Sequence, residues 1–141
     1  MTRRWFVPTL ASPLFAQSGR DVFLLTGQSN MAGRGVVEAQ DKLPLPGVSV
    51  FTKEKTWAPA VDPLHFDKPA IIGVGLGRSF ASTVQKKDGL KEIGLVPAAF
   101  GGSSLQEWSP GSSHFTNAVE RTQTAGGRLR GILWHQGEAD A

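Results

Sequence analysis

A serine stands on a glycine-flanked turn directly after an apolar run: Thr26-Gly27-Gln28-Ser29-Asn30-Met31-Ala32-Gly33 follows Asp21-Val22-Phe23-Leu24-Leu25. A buried strand that runs into a tight turn can present one side chain at the carboxyl edge of a sheet, where open α/β folds place their ligands. A serine held there is placed to attack a carbonyl carbon, so Ser29 is the first candidate nucleophile. Helix capping is the competing reading of Ser29 and Asn30, because both residue types satisfy free N–H groups at a helix start.

Two more polar stretches follow apolar runs. One is Gly101-Gly102-Ser103-Ser104-Leu105-Gln106-Glu107-Trp108, the other His135-Gln136-Gly137-Glu138-Ala139-Asp140. Ester hydrolysis needs donors aimed at the oxyanion that forms during attack, and loss of one such donor costs about 10²–10³ in rate. The backbone N–H of Gly102 and the side-chain amide of Gln136 suit that task by type and position. A turn glycine and a strand-end glutamine bonded to backbone are the alternatives.

The elements that must position these loops are legible as apolar patterns. Residues 21–26 read as a strand buried on both faces, with no polar alternation. Residues 34–68 carry Pro44, Pro46, Pro59 and Pro63 and no helical period, which predicts a long irregular excursion with a short strand at 48–51. Long loops of this kind shape binding sites. Leu76, Phe80, Ala81 and Val84 recur at helical spacing over 76–87, and Asp88-Gly89 supplies a stop. A second strand is expected at 93–100, a second helix at 114–125 ending at Gly126-Gly127, and a third strand at 129–134. Strands alternating with helices predict right-handed crossovers and a three-layer α/β/α sandwich on a parallel sheet.

At 141 residues and 40% hydrophobic composition, one domain with one core is expected. The formal charge of +3 comes from scattered basic residues interleaved with acids, unlike the concentrated stripe of a nucleic-acid binder. Cysteine is absent, which excludes disulfides, thiol catalysis and thiolate metal sites. No metal-ligand spacing is apparent, and acyl-serine chemistry requires neither metal nor cofactor. The run Gly73-Val74-Gly75-Leu76-Gly77-Arg78 resembles a dinucleotide-binding turn. The spacing fails, because Arg78 or Phe80 stands where the last glycine of Gly-x-Gly-x-x-Gly belongs. Residues 1–20 combine a basic start, a short apolar stretch and a small residue at Ala16, as a secretory signal does, although Pro8 and Pro13 interrupt it. Export to the periplasm or outside the cell is one expectation, a cytoplasmic protein the other. No segment approaches the ~20 apolar residues of a membrane span.

Gly27-Gln28-Ser29-Asn30-Met31-Ala32-Gly33, Gly101-Gly102-Ser103 with Glu107-Trp108, and Trp134-His135-Gln136-Gly137-Glu138 with Asp140 resemble the signature blocks of the sialate O-acetylesterase domain. That group lies in the SGNH hydrolase superfamily and includes the acetylxylan esterases of carbohydrate esterase family six. The likeness spans 21–141 and implies the N-terminal portion of such a domain. It implies that Ser29 is the nucleophile and that the N–H groups of Ser29 and Gly102, with the Gln136 side chain, form the oxyanion hole. It implies an acetylated carbohydrate as substrate, and supporting hydrogen bonds from Gln28, Asn30, Glu138 and Asp140.

Members of that family carry an Asp-x-x-His motif well downstream of the Gln-Gly-Glu block, and its histidine takes the serine proton. This sequence ends at Ala141, before any such motif. His65, His114 and His135 are read as surface or packing residues. The expectation is therefore an isolated chain that is nearly inactive, with an open sheet edge and an uncovered apolar face that favour aggregation. The alternative function is a non-catalytic carbohydrate-binding protein in which Trp57 and Trp108 stack on sugar rings.

Overall fold

Every residue of the first strand, β1 (Asp21–Gly27), is buried, and this strand is paired on both sides in a five-stranded sheet. The computed structural model describes residues 19–141, so all but the last two residues of the leader expected at 1–20 lie outside the described residues. After β1 come a one-turn helix α1 (Ser29–Ala32), β2 (Val48–Phe51), β3 (Trp57–Pro59), α2 (Gly77–Asp88), β4 (Ile93–Pro97), α3 (Ser113–Ala125) and β5 (Arg128–His135). Single 3-10 turns occupy Ala39–Lys42 and Leu105–Trp108. None of these helices is long and apolar enough to cross a membrane.

The strand order is β3-β2-β4-β1-β5. β2, β4, β1 and β5 are mutually parallel, as expected from strands linked through helices. To the expected parallel sheet the structure adds one edge strand the sequence did not reveal, β3, which runs antiparallel to β2. Residues 52–56 cause this: five residues are too few for a crossover and make a hairpin instead. Its turn is closed by the Thr52 N–H donating to the Thr56 carbonyl at 2.8 Å. Pro59, which cannot donate to a ladder, is tolerated because β3 is an edge.

The continuous apolar run of β1 splits by alternate residues between two layers. Phe23 and Leu25 join Val50, Leu64, Ala81 and Leu95 beneath α2, with Phe80 and Val84 of α2 packed on them. Val22 and Leu24 join Phe51, Val96, Trp108, Ala118 and Ala125 beneath α3. The chain is thus an α/β/α sandwich, and burying each Val or Leu contributes about 1.5–3 kcal/mol. Leu25 is fully buried, and Leu25→Ala would cost about 2–5 kcal/mol through lost transfer energy and the cavity left behind.

Local signals end both long helices. Gly89 closes α2 in the left-handed conformation at φ 66°, its N–H donating to the Gln85 carbonyl, and Lys86 and Lys87 occupy the last turn. The Ser112 hydroxyl caps α3 by accepting the Phe115 N–H. On α3 the buried Arg121 donates to the carbonyls of Pro97, Phe51 and Thr52 at 2.8, 2.7 and 3.0 Å, tying together the ends of β4 and β2. Its guanidinium also lies over the rings of Phe51 and Phe66.

At the other edge β5 pairs only with β1 among the described residues. Register with Val22, Leu24 and Thr26 puts Leu129, Ile132 and Trp134 on the α3 side. All three are well exposed, Ile132 at 61%. Among the described residues β5 is thus an edge strand with one exposed apolar face.

Candidate active site

The strand order brings the three polar loops to one rim. β1 carries the Ser29 turn, and its neighbours β4 and β5 carry the Gly102 and Gln136 loops at the same carboxyl edge. Backbone bonds continue past the strand ends, with the Phe100 N–H donating to the Gly27 carbonyl and the Gln28 N–H to the His135 carbonyl, both at 2.9 Å.

Gly27 is required where β1 turns. Its φ is 126°, and a Cβ there would stand 2.0 Å from the His135 carbonyl oxygen. Ser29 is the first residue of α1, half-buried at the rim. The cap position falls to Gln28, and no side chain makes a capping bond. The capping alternative for Ser29 and Asn30 is thus not what the backbone adopts. Met31 and Ala32 are buried, so they anchor the turn from below and leave Ser29 on the outer side.

Gln28 is itself buried, and its Oε1 accepts the N–H groups of Gly137 and Ala139 at 3.3 and 3.1 Å. Asn30 is exposed and its amide donates to the Glu138 carboxylate. The backbone N–H of Glu138 itself, and then the Asn30 amide, hold that carboxyl below its ordinary pKa. Asp140 accepts the Leu105 N–H at 2.9 Å and an amide hydrogen of Gln136. These four residues bind the first and second loops to the third.

Gly102 is exposed at φ 83° in the turn after β4. The Gln136 amide donates to the Ser103 carbonyl at 3.2 Å and to Asp140. Both of its hydrogens are thereby used, so an oxyanion could take one only by displacing an internal partner. Trp108 supports this loop from beneath, its indole N–H donating to the Ser103 hydroxyl at 2.9 Å.

The histidines fall in three settings. Burial pushes the pKa of His65 down to about 4, against the opposing pull of Asp67, which leaves it neutral at pH 7. His114 stacks on Phe100 at 4.7 Å and packs against Trp108. His135 ends β5 with its Nε2 3.7 Å from the Glu138 carboxylate. The two tryptophans offered for sugar stacking are structural. Trp108 is buried, while Trp57 packs on Phe51, lies beneath the Arg20 guanidinium and donates to the Ala125 carbonyl.

The glycine-rich segment before α2 packs on the serine turn. Gly33 and Gly73 are joined by a 3.0 Å backbone bond, Gly35 and Val74 by a two-way pair. Sequence reasoning missed Arg34 and Asp67. Asp67, from the proline-rich excursion, accepts the Gly101 N–H and an Arg34 N–H, each at 2.8 Å. Burial opposes this carboxylate, but Arg34 and the Gly101 and Lys68 N–H groups outweigh it and hold its pKa below the usual value. The only sequence signal was the excursion's length.

Comparison with known proteins gives this arrangement a family. A probable carbohydrate esterase of Arabidopsis thaliana is 35% identical over 94% of this chain and 58% of its own length. The crystal structure of that Arabidopsis protein matches with a TM-score of 0.78 at 34% identity, covering 87% of this chain and 59% of that one. NanS shares the fold, with a TM-score of 0.66 at 20% identity over 86% of this chain and 54% of its own. The chain thus spans somewhat under three-fifths of the length of the curated relative. The family described as "Carbohydrate esterase, sialic acid-specific acetylesterase" matches residues 19–141, and the chain belongs to it.

Proposed function

We propose that this chain carries the nucleophile and oxyanion donors of a serine esterase that removes O-acetyl groups from carbohydrates. The observation that carries the reading is the position of Ser29 at the end of β1, between the loops of β4 and β5 that hold Gly102 and Gln136. Membership of a carbohydrate acetylesterase family supports the same chemistry.

In the proposed reaction the Ser29 hydroxyl oxygen attacks the acetyl carbonyl carbon while a base accepts its proton. The N–H groups of Ser29 and Gly102 receive the developing oxyanion. Gln136 joins them once its amide exchanges an internal partner for the oxyanion. The bond from the acetyl carbon to the sugar oxygen breaks, and the sugar leaves with a proton as an alcohol. Water then attacks the acetyl-serine, releasing acetate and restoring the hydroxyl. Among the described histidines, His65 is neutral and buried, His114 is stacked between rings and His135 faces Glu138. We infer that residues 19–141 alone transfer the proton slowly and that imidazole in solution accelerates the reaction.

The test is trapping by a fluorophosphonate in imidazole buffer, read by intact mass and peptide mapping, beside acetate release from acetylated xylan and O-acetylated sialic acid. One phosphonyl group on Ser29 and loss of acetate release in Ser29→Ala are expected. Acetate release that persists in Ser29→Ala would overturn the serine mechanism, and the more rapidly deacetylated sugar identifies the substrate.

A further inference from the structure

We propose that Arg34 and Asp67 form a strut that holds the Gly102 N–H at a fixed position relative to Ser29, making them positioning residues of the oxyanion hole. The role rests on the serine-esterase reading above.

The connection can be followed atom by atom. The Gly33 N–H donates to the Ser29 carbonyl at 2.8 Å and closes the serine turn. From the other side of the Gly33 residue, its carbonyl accepts an Arg34 Nη1 hydrogen at 2.7 Å. The other guanidinium nitrogen, Nη2, donates to Asp67 Oδ2 at 2.8 Å, and the same oxygen accepts the Gly101 N–H at 2.8 Å. Gly101 precedes Gly102, so the strut ends one peptide away from the proposed oxyanion donor. The Ser103 N–H, donating to the Phe100 carbonyl, fixes the far side of the same turn. The Gly102 peptide is thereby held on both sides.

Two features distinguish this from general stabilisation. The strut passes directly beneath the loop, since a Cβ on Gly101 would lie 2.3 Å from Arg34 Nη2 and 2.9 Å from Asp67 Oδ2. A bulkier residue there would push apart the groups that set the geometry. Asp67 is also almost fully buried, with 1% of its side chain exposed. A buried ion pair commonly gives no more stability than an apolar pair of the same shape, because desolvation offsets the Coulomb attraction. What the charged pair provides that an apolar pair cannot is direction. Guanidinium nitrogens in a rigid planar fork set the spacing between the two loops they join.

The experiment compares wild type with Asp67→Asn, Asp67→Ala and Arg34→Lys by two measurements. Amide hydrogen exchange reads the Gly101–Gly102 turn, with β1 and β4 amides as a folding control. Fluorophosphonate trapping of Ser29 in imidazole buffer, resolved into KI and kinact, reads the oxyanion hole. Asp67→Ala is expected to speed Gly101 exchange at least about tenfold and to lower kinact by about 10–100-fold, short of the about 10²–10³ that outright loss of an oxyanion donor costs, with KI little changed. Asp67→Asn retains an acceptor for the Gly101 N–H but not the charge that holds Arg34, so it should fall between. Arg34→Lys keeps the charge without the fork and should lower kinact while leaving Gly101 protected. Unchanged kinact in all three variants, with wild type trapped at Ser29, would overturn the strut and spare the esterase reading. Wild type that is not trapped at Ser29 would overturn both.

Discussion

Gln28 and Ala139 lie 111 residues apart in sequence, yet the Gln28 side-chain oxygen accepts the Ala139 N–H at 3.1 Å and the Gly137 N–H beside it. One buried acceptor from the first loop thus shapes the backbone of the third. Gln28→Ala would leave two N–H groups without it, costing about 1–3 kcal/mol if they stay buried. Trapping of Ser29 should slow about tenfold, less than the about 10²–10³ that loss of an oxyanion donor itself costs. Gln28→Glu retains an acceptor at the same place and should restore most of the rate. Intact-mass kinetics on the two variants would measure this, and equal rates in Gln28→Ala and wild type would remove the side chain from the site's architecture.

His65 makes stability depend on pH. Its folded pKa of about 4 lies below the ordinary value of 6.5, so between these limits the unfolded chain binds a proton that the folded chain refuses. Stability is full above about pH 6.5 and falls as pH drops toward 4, by about 3 kcal/mol from this group. Asp62 acts oppositely, because burial raises its carboxyl pKa and stability is gained as pH falls through that raised value. Urea denaturation at pH 7, 5.5 and 4.5 should show the decline in wild type and a flatter profile in His65→Gln. Parallel profiles would contradict it.

Arg121 replaces a carboxylate partner with three backbone carbonyls, at the ends of β4 and β2 and in the hairpin turn that follows β2. Arg121→Met fills similar space but leaves those acceptors without their donor, and should lower unfolding free energy by at least about 3 kcal/mol. Arg121→Lys keeps a charge without the fork and should recover only part. Chemical denaturation of the three proteins measures the order.

A polypeptide of residues 19–141 exposes the apolar side of β5 and should therefore self-associate, since an apolar edge strand offers both unpaired backbone groups and apolar contact. Ile132→Lys places a charge where 61% of the side chain is already exposed. Sedimentation velocity across a concentration series should show wild type growing heavier and the variant remaining smaller. A wild type that stays monomeric throughout would refute the association.

Patterns that depend on burial were legible in the sequence. The both-sided run of β1 and the helical spacing of Phe80, Ala81 and Val84 report layers, and these match within a few residues. The three polar loops were readable as one rim because parallel strands bring their carboxyl ends together. What escaped was contact between segments without periodicity. β3 is three residues long, too short for alternation to register. Asp67 meets Gly101 across 34 residues through a hydrogen bond, and no local pattern encodes such a meeting. The use of both Gln136 hydrogens was likewise invisible, since its residue type reveals capacity but not occupancy.

The three loops do not share one mechanical footing. The serine turn hangs from a fully buried strand paired on both sides, while the Gln136 loop hangs from the exposed β5. Openings of a folded protein begin where contacts are fewest, so mild denaturant would detach the third loop while Ser29 remained seated. The proposed activity would then disappear before the core melted, and a protein that still gave a folded spectrum could already have a dismantled rim.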